Sequence, residues 1–252
     1  MKNNSETGHA KNVANFEDLI SFCIGYGATY NPVNTNIKIP ALQAKQTAAL
    51  AAIQTVKSTK TAFDNSTNAR EIVFASLKKL STRIVNALEA TTATTQTIDD
   101  AKTVNRKMQG KRAGSSAKLT KAPATGTPDP NVPVTPTTIS VSQQSFDSLI
   151  DNFTKLIQVV SSEPAYAPNE TELKVVTLNT LLTNLKAANT SVINTTTTYS
   201  NGRISRDTIL YAADTGLVDL ALEVKKYVKS LYGATSPQYH QVSGLQFKKT
   251  KK

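Results

Sequence analysis

The chain has 252 residues, with 29 Lys and Arg against 18 Asp and Glu, a net charge of +11. Its hydrophobic fraction is only 39 %, Trp is absent and Met occurs twice, which argues against a thick aromatic core or an aromatic-rich recognition surface. One cysteine, Cys23, excludes an intramolecular disulfide framework, and no apolar run approaches the roughly 18 to 20 residues that span a bilayer.

The charge is concentrated. Lys102, Arg106, Lys107, Lys111, Arg112, Lys118 and Lys121 fall in one acid-free stretch, and Lys248, Lys249, Lys251 and Lys252 close the chain. These eleven equal the whole excess, leaving 18 cations to balance 18 acids elsewhere. A neutral body with basic linker and tail points to a polyanion reached by arms, although solvated linkers are often basic too.

In chain order, residues 1–13 read as a disordered leader. A first helix follows, with Phe16, Leu19, Ile20 and Cys23 on one stripe, ended by Gly25-Tyr26-Gly27. The acids Glu17 and Asp18 ahead of the apolar run speak against a secretory signal, so a cytoplasmic setting is expected. Tyr30-Asn31-Pro32 then breaks the chain, since proline disfavours helix in the residue before it. A long second helix is expected from about residue 36 to 64 with Pro40 in its first turn. Leu42, Ala49, Val56 and Phe63 form its seam at a spacing of seven.

Asp64-Asn65-Ser66-Thr67 reads as a connecting turn rich in capping residues. The third helix carries Val73, Phe74, Leu77, Leu80, Ile84, Ala87 and Leu88 on its stripe, so each unit should be an antiparallel hairpin. Ile98–Met108 suggests a fourth helix. Residues 110–140 are first basic and then rich in Pro and Thr, the composition of an extended linker.

Most of this pattern returns 136 residues later. Tyr166-Ala167-Pro168 repeats the Tyr-x-Pro element, and Leu178, Leu185, Val192 and Tyr199 repeat the seam. Arg206-Asp207 repeats Arg70-Glu71, Ser200-Asn201-Gly202 stands for the turn, and Leu210 to Leu231 gives the last helix, stopped by Gly233. Self-similarity at one offset marks a duplicated structural unit. The expected fold is therefore all-α: two tandem antiparallel helical-bundle units over 14–109 and 141–235, joined by the Pro/Thr-rich linker and followed by a basic tail, 236–252.

The elements Tyr30-Asn31-Pro32, Leu77-x-x-Leu80-x-Thr82-Arg83-Ile84 and Arg106 to Arg112 resemble an uncharacterised bacterial family of duplicated helical-bundle proteins. That resemblance implies the same fold and brings no activity, cofactor or site with it.

Chemistry-bearing constellations are scarce. His9 and His240 sit in the expected leader and tail, Cys23 lies on an apolar stripe, and no Glu-x-x-His pair occurs for a bundle metal site. Gly25-Tyr26-Gly27 lacks the context of a phosphate loop. No catalytic residue, metal or cofactor is expected, and the chain reads as non-enzymatic.

Two polar features remain. Arg70, Glu71, Arg206 and Asp207 are repeat-related. An Arg in a helix's first turn is unfavourable unless paired, so each is expected to bridge to a neighbouring helix or to hold an anion. The eleven clustered cations are candidate polyanion contacts, with affinity from counterion release. The leading expectation is a structural or interaction protein acting through helical surfaces, with a protein partner or self-association. The alternative is a non-specific nucleic-acid-binding protein using the linker and tail.

Overall fold

A computed structural model describes residues 6–111 and 144–249. Among these the chain is all-helical, without a strand. The helices are α1 (Glu6–Gly25), α2 (Ile39–Phe74), α3 (Leu77–Glu89), α4 (Thr95–Met108), α5 (Phe146–Ser161), α6 (Val175–Tyr211), α7 (Leu217–Tyr232) and α8 (Pro237–Ser243). Short 3-10 turns at Thr35–Ile37 and Thr171–Leu173 lead into α2 and α6. None of the described helices is long and apolar enough to cross a membrane. The greater part of the Pro/Thr-rich stretch lies outside the described residues.

Local chemistry sets several helix ends. The hydroxyls of Thr94, Ser145 and Ser236 accept the backbone N–H three residues on, capping α4, α5 and α8. Pro237 stands at the start of α8, where its missing N–H costs nothing. Gly233 ends α7 at φ 90°, a conformation few other residues adopt.

The expected turns at 64–67 and 200–202 do not form. Helix α2 runs unbroken through Asp64-Asn65-Ser66-Thr67 and α6 through Ser200-Asn201-Gly202. The chain breaks later, at Ala75–Ser76 and between Tyr211 and Leu217. Capping residues favour a stop only where the chain is free to turn, and here hydroxyls along the same helices bond to their own backbone. Thr61 donates to Lys57 O, Thr197 to Ile193 O and Thr208 to Ile204 O, at 3.0 to 3.1 Å. Gly202 supplies close approach instead of positive φ: a Cβ there would lie 3.4 Å from Thr59 Oγ1 and 3.8 Å from Val56 Cγ2.

The compact units differ in their bounds from the expected 14–109 and 141–235. One comprises 1–65 with 193–252, the other 66–192. Both boundaries fall inside helices, so α2 and α6 each contribute one part to each unit. The first unit's core gathers Phe16, Leu19 and Cys23 of α1, Leu42 and Ala49 of α2, Leu210 of α6, and Leu217, Leu220, Val224 and Val228 of α7. The second unit's core gathers Phe74, Leu77, Ile84, Leu88 and Met108 with Phe153, Leu156 and Ile157 of α5 and Leu178 and Leu185 of α6.

From Glu6 onward the disordered leader is a helix, and this corrects the expectation for residues 6–13. The apolar stripe of α1 extends back through Val13 to polar side chains that are buried because they have partners. His9 Nδ1 lies 2.7 Å from the Tyr211 hydroxyl. Asn12 pairs with the backbone of Lys248 in both directions, donating to its O (2.8 Å) and accepting from its N (3.0 Å). Asn15 donates to Gln246 O at 2.7 Å.

The tail is corrected by the same contacts. Residues 237–243 are helical, and the segment after them is tied down by Asn12, Asn15 and Lys225, whose ammonium donates to Ser243 O (3.1 Å) and to Leu245 O. Burial pushes the Lys225 pKa down.

Two glycines give opposite expectations in urea unfolding. Gly202→Ala should raise stability by about 0.5–1 kcal/mol, since the methyl fits and Gly is a poor helix former. Gly216→Ala should lower it by more than about 1 kcal/mol, because its Cβ would lie 2.6 Å from Ala212 O and 2.7 Å from Ala212 N. Equal midpoints for the two variants would contradict this packing.

Candidate functional site

The two Tyr-x-Pro elements form the same clamp. Tyr30 is buried and donates its hydroxyl to Ile37 O at 2.7 Å; Tyr166 is buried and donates to Leu173 O at 3.0 Å. Each bond spans seven residues and closes the loop that enters a long helix. Burial raises both phenols well above their usual pKa. Tyr166 is pushed to about 12, with the nearby Glu170 charge adding to the effect, so both stay neutral donors at ordinary pH.

Beside Tyr166 the second unit carries an open groove of about 500 Å³. It is lined by Ala87 of α3 and Ala90 just after that helix, with the loop 165–170 opposite. Polar groups line it: Arg83 and Asn86 on the helix side, Asn169 and Glu170 on the loop side. Arg83 Nη1 is ion-paired with Glu172 Oε2, which ties the loop to α3. In sequence Tyr166 stands only as the second Tyr-x-Pro element, with no sign of the groove beside it. The space depends on two alanines that carry no signal in a helical stripe.

Arg70 and Arg206 lie near the C-terminal ends of α2 and α6, not in the first turn of the following helices. This corrects the placement on which an anion site at a helix N-terminus was weighed. Within the second unit, Arg70 Nη1 donates to Asn189 Oδ1 (3.0 Å), and Asn189 Nδ2 donates to Asp147 Oδ1 (2.7 Å). The Arg70 guanidinium carbon also sits 3.9 Å from the centroid of the Phe146 ring, a cation–π contact. Glu71 is exposed.

In the first unit Arg206 is 1 % exposed and grips its neighbour Asp207 through Nε (3.0 Å) and Nη2 (2.8 Å) to one carboxylate oxygen. Asp207 keeps half its side chain in solvent, so its charge is screened and the Arg is held by its surroundings as well. Both arginines are thus engaged within the protein.

The basic cluster is divided. Lys102 is ion-paired with Glu89 at 2.5 Å, which raises its pKa. Lys249 is ion-paired with Asp219 at 2.7 Å, and the Lys248 backbone pairs with the Asn12 side chain. Arg106 and Lys107 occupy the last turn of α4, where cations complement the helix dipole, and Lys111 follows the end of that helix. Among the described residues these three form no ion pair. Arg112, Lys118, Lys121, Lys251 and Lys252 lie outside the described residues.

The remaining reactive groups are structural. Cys23 is buried, and desolvation pushes its thiol up to about 12, against a smaller opposing contribution from the Tyr30 hydroxyl, so it is a neutral core group. Among the described residues no group of three or more His, Cys, Asp or Glu is gathered as metal ligands would be.

No family model, no curated protein and no solved structure matches this chain. Its reading therefore rests on its own residues.

Arg206→Ala should lower the unfolding free energy by about 2–4 kcal/mol, because it opens a space and removes a buried cation from its partners. Arg206→Lys should recover less than half, since a lysine cannot supply two parallel N–H groups to Asp207. Chemical denaturation of the three proteins measures this. An unchanged midpoint in Arg206→Ala would return the residue to consideration as a ligand site.

Proposed function

We propose that this chain is a non-enzymatic structural or interaction protein, built by internal duplication, that self-associates through exposed faces of its long helices. The observation that carries the reading is a stripe on α6 in the first unit. Ile193, Thr197, Ser200, Ile204 and Thr208 fall on one face at helical spacing, and all are exposed. Ile193 is 56 % and Ile204 63 % exposed.

The threonines make this face less polar than its composition. Thr197 and Thr208 donate their hydroxyls to carbonyls one turn back, so those hydroxyls are already engaged within the helix. Exposed apolar stripes of this kind mark association surfaces. The helix-start offset also supports duplication: the 3-10 turns at Thr35 and Thr171, the starts of α2 and α6, and the Tyr30 and Tyr166 clamps each recur 136 residues apart. The non-enzymatic part rests on Cys23, the one thiol, being buried in the core and on His9 being buried against the Tyr211 hydroxyl. A cytoplasmic setting belongs to the same proposal and rests on the lone neutral thiol.

Sedimentation velocity tests it. The full chain is expected to form a species larger than its 27.1 kDa monomer. The variant Ile193→Glu/Ile204→Glu should sediment as the monomer with its helicity intact. A wild-type chain that remains monomeric at every concentration would sink self-association.

A second reading, a non-specific polyanion binder, keeps one favouring observation: Arg106, Lys107 and Lys111 cluster at the end of α4 with no ion pair among the described residues. Glutamine substitution suits its test better than deletion, because removing residues 248–252 would also remove the backbone partner of Asn12. Anisotropy of labelled duplex DNA and RNA across a salt series should then show a slope that falls by roughly one per lost phosphate contact in an Arg106→Gln/Lys107→Gln/Lys111→Gln variant. No binding at roughly 50 mM salt would rule this reading out.

A further inference from the structure

The two units treat the space beside their clamping tyrosines differently. Helices α3 and α7 begin at Leu77 and Leu217, and from these starts several buried positions agree: Ser81 with Ala221, Ile84 with Val224, Leu88 with Val228. The eleventh residue is Ala87 in α3 and Tyr227 in α7. In the first unit the Tyr227 ring packs edge-on against Tyr30, with centroids 5.3 Å apart and planes at 85°. In the second unit Ala87 leaves that place open, and the groove of about 500 Å³ lies there against Tyr166.

The polar clasp across the mouth has a counterpart as well. The seventh residue of α7, Glu223, accepts a hydrogen bond from Asn34 Nδ2 at 3.1 Å, while the seventh of α3, Arg83, pairs with Glu172. Loop and helix are therefore joined in both units, and the groove persists because a ring is missing, not because the loop has parted from its helix.

We propose that the groove lined by Ala87, Ala90 and Tyr166 receives the aromatic side chain, of tyrosine type, of a partner protein segment. The ring would meet Tyr166 as Tyr227 meets Tyr30, in the edge-to-face geometry that aromatic pairs favour. Asn86, Asn169 and Glu170 stand on the lining to hydrogen-bond its hydroxyl or the peptide that carries it. An aliphatic side chain would fill volume without that electrostatic match to the Tyr166 ring. The inference deepens the reading as an interaction protein and rests on it, but it uses a surface in the second unit separate from the α6 stripe of the first.

The test is a methyl- and ring-resolved NMR titration of the full chain with N-acetyl-tyrosinamide, with N-acetyl-alaninamide as control. A single exposed ring should bind weakly, on the order of millimolar. Saturable shifts are expected at Ala87, Ala90 and Tyr166, and none with the alanine compound. Ala87→Tyr supplies the ring from within and should weaken binding by more than about tenfold. Should that variant fail to fold, Ala90→Leu narrows the same groove and gives the same decision.

Absence of saturable shifts in the wild type would overturn the proposal, as would equal binding by a folded Ala87→Tyr or Ala90→Leu variant. Neither result bears on sedimentation of the chain, so failure here is distinguishable from failure of self-association through α6.

Discussion

The unbroken backbone ladder of α2 and α6 is the constraint on which the rest depends. Each helix passes through a segment of Asn, Ser, Thr or Gly that in isolation favours a turn. It continues because an apolar seam is buried on either side of the segment. Leu42, Ala49 and Val56 lie on one side of the α2 segment and Phe74 on the other, all buried. Burial of that seam outweighs local preferences worth less than about 1 kcal/mol per residue. Had the helices stopped at 64 and 200, each unit would have been a closed hairpin bundle of one repeat. Because they do not, each compact unit takes residues from both halves of the chain.

Polar groups then specify how each unit closes. In the first unit the side chains of Asn12 and Asn15 act as substitutes for a neighbouring peptide, pairing with the backbone after α8. Such groups are costly when buried alone and specific when matched, so they fix register where apolar contacts are tolerant. In the second unit Asn189 bridges two side chains, accepting from Arg70 and donating to Asp147. The described part of the tail, up to Lys249, is consequently a packed element of the fold.

The candidate groove was illegible in sequence for a simple reason. A helical stripe announces itself by large apolar residues, and Ala87 reads as an ordinary small member of one, with Ala90 just beyond it. Only the comparison with Tyr227, at the same place along its helix, shows that a ring's volume is missing. Arg70 and Arg206, by contrast, stood out at once, but their surroundings could not be read. The helix they belong to was assigned one element too late, which turned a C-terminal position into an N-terminal one.

By itself the sequence determined the all-helical class, the 136-residue recurrence of the Tyr-x-Pro element and its following seam, and the positions of the buried stripes. These are local, periodic properties, written in side chains 3, 4 or 7 residues apart. Helix continuity, the make-up of the two compact units and the helical start at Glu6 were decided only by tertiary structure. They depend on contacts between residues far apart in the chain, such as Asn12 with Lys248 and Tyr30 with Tyr227, whose energies outweigh the weak turn preferences of Asn, Ser and Gly.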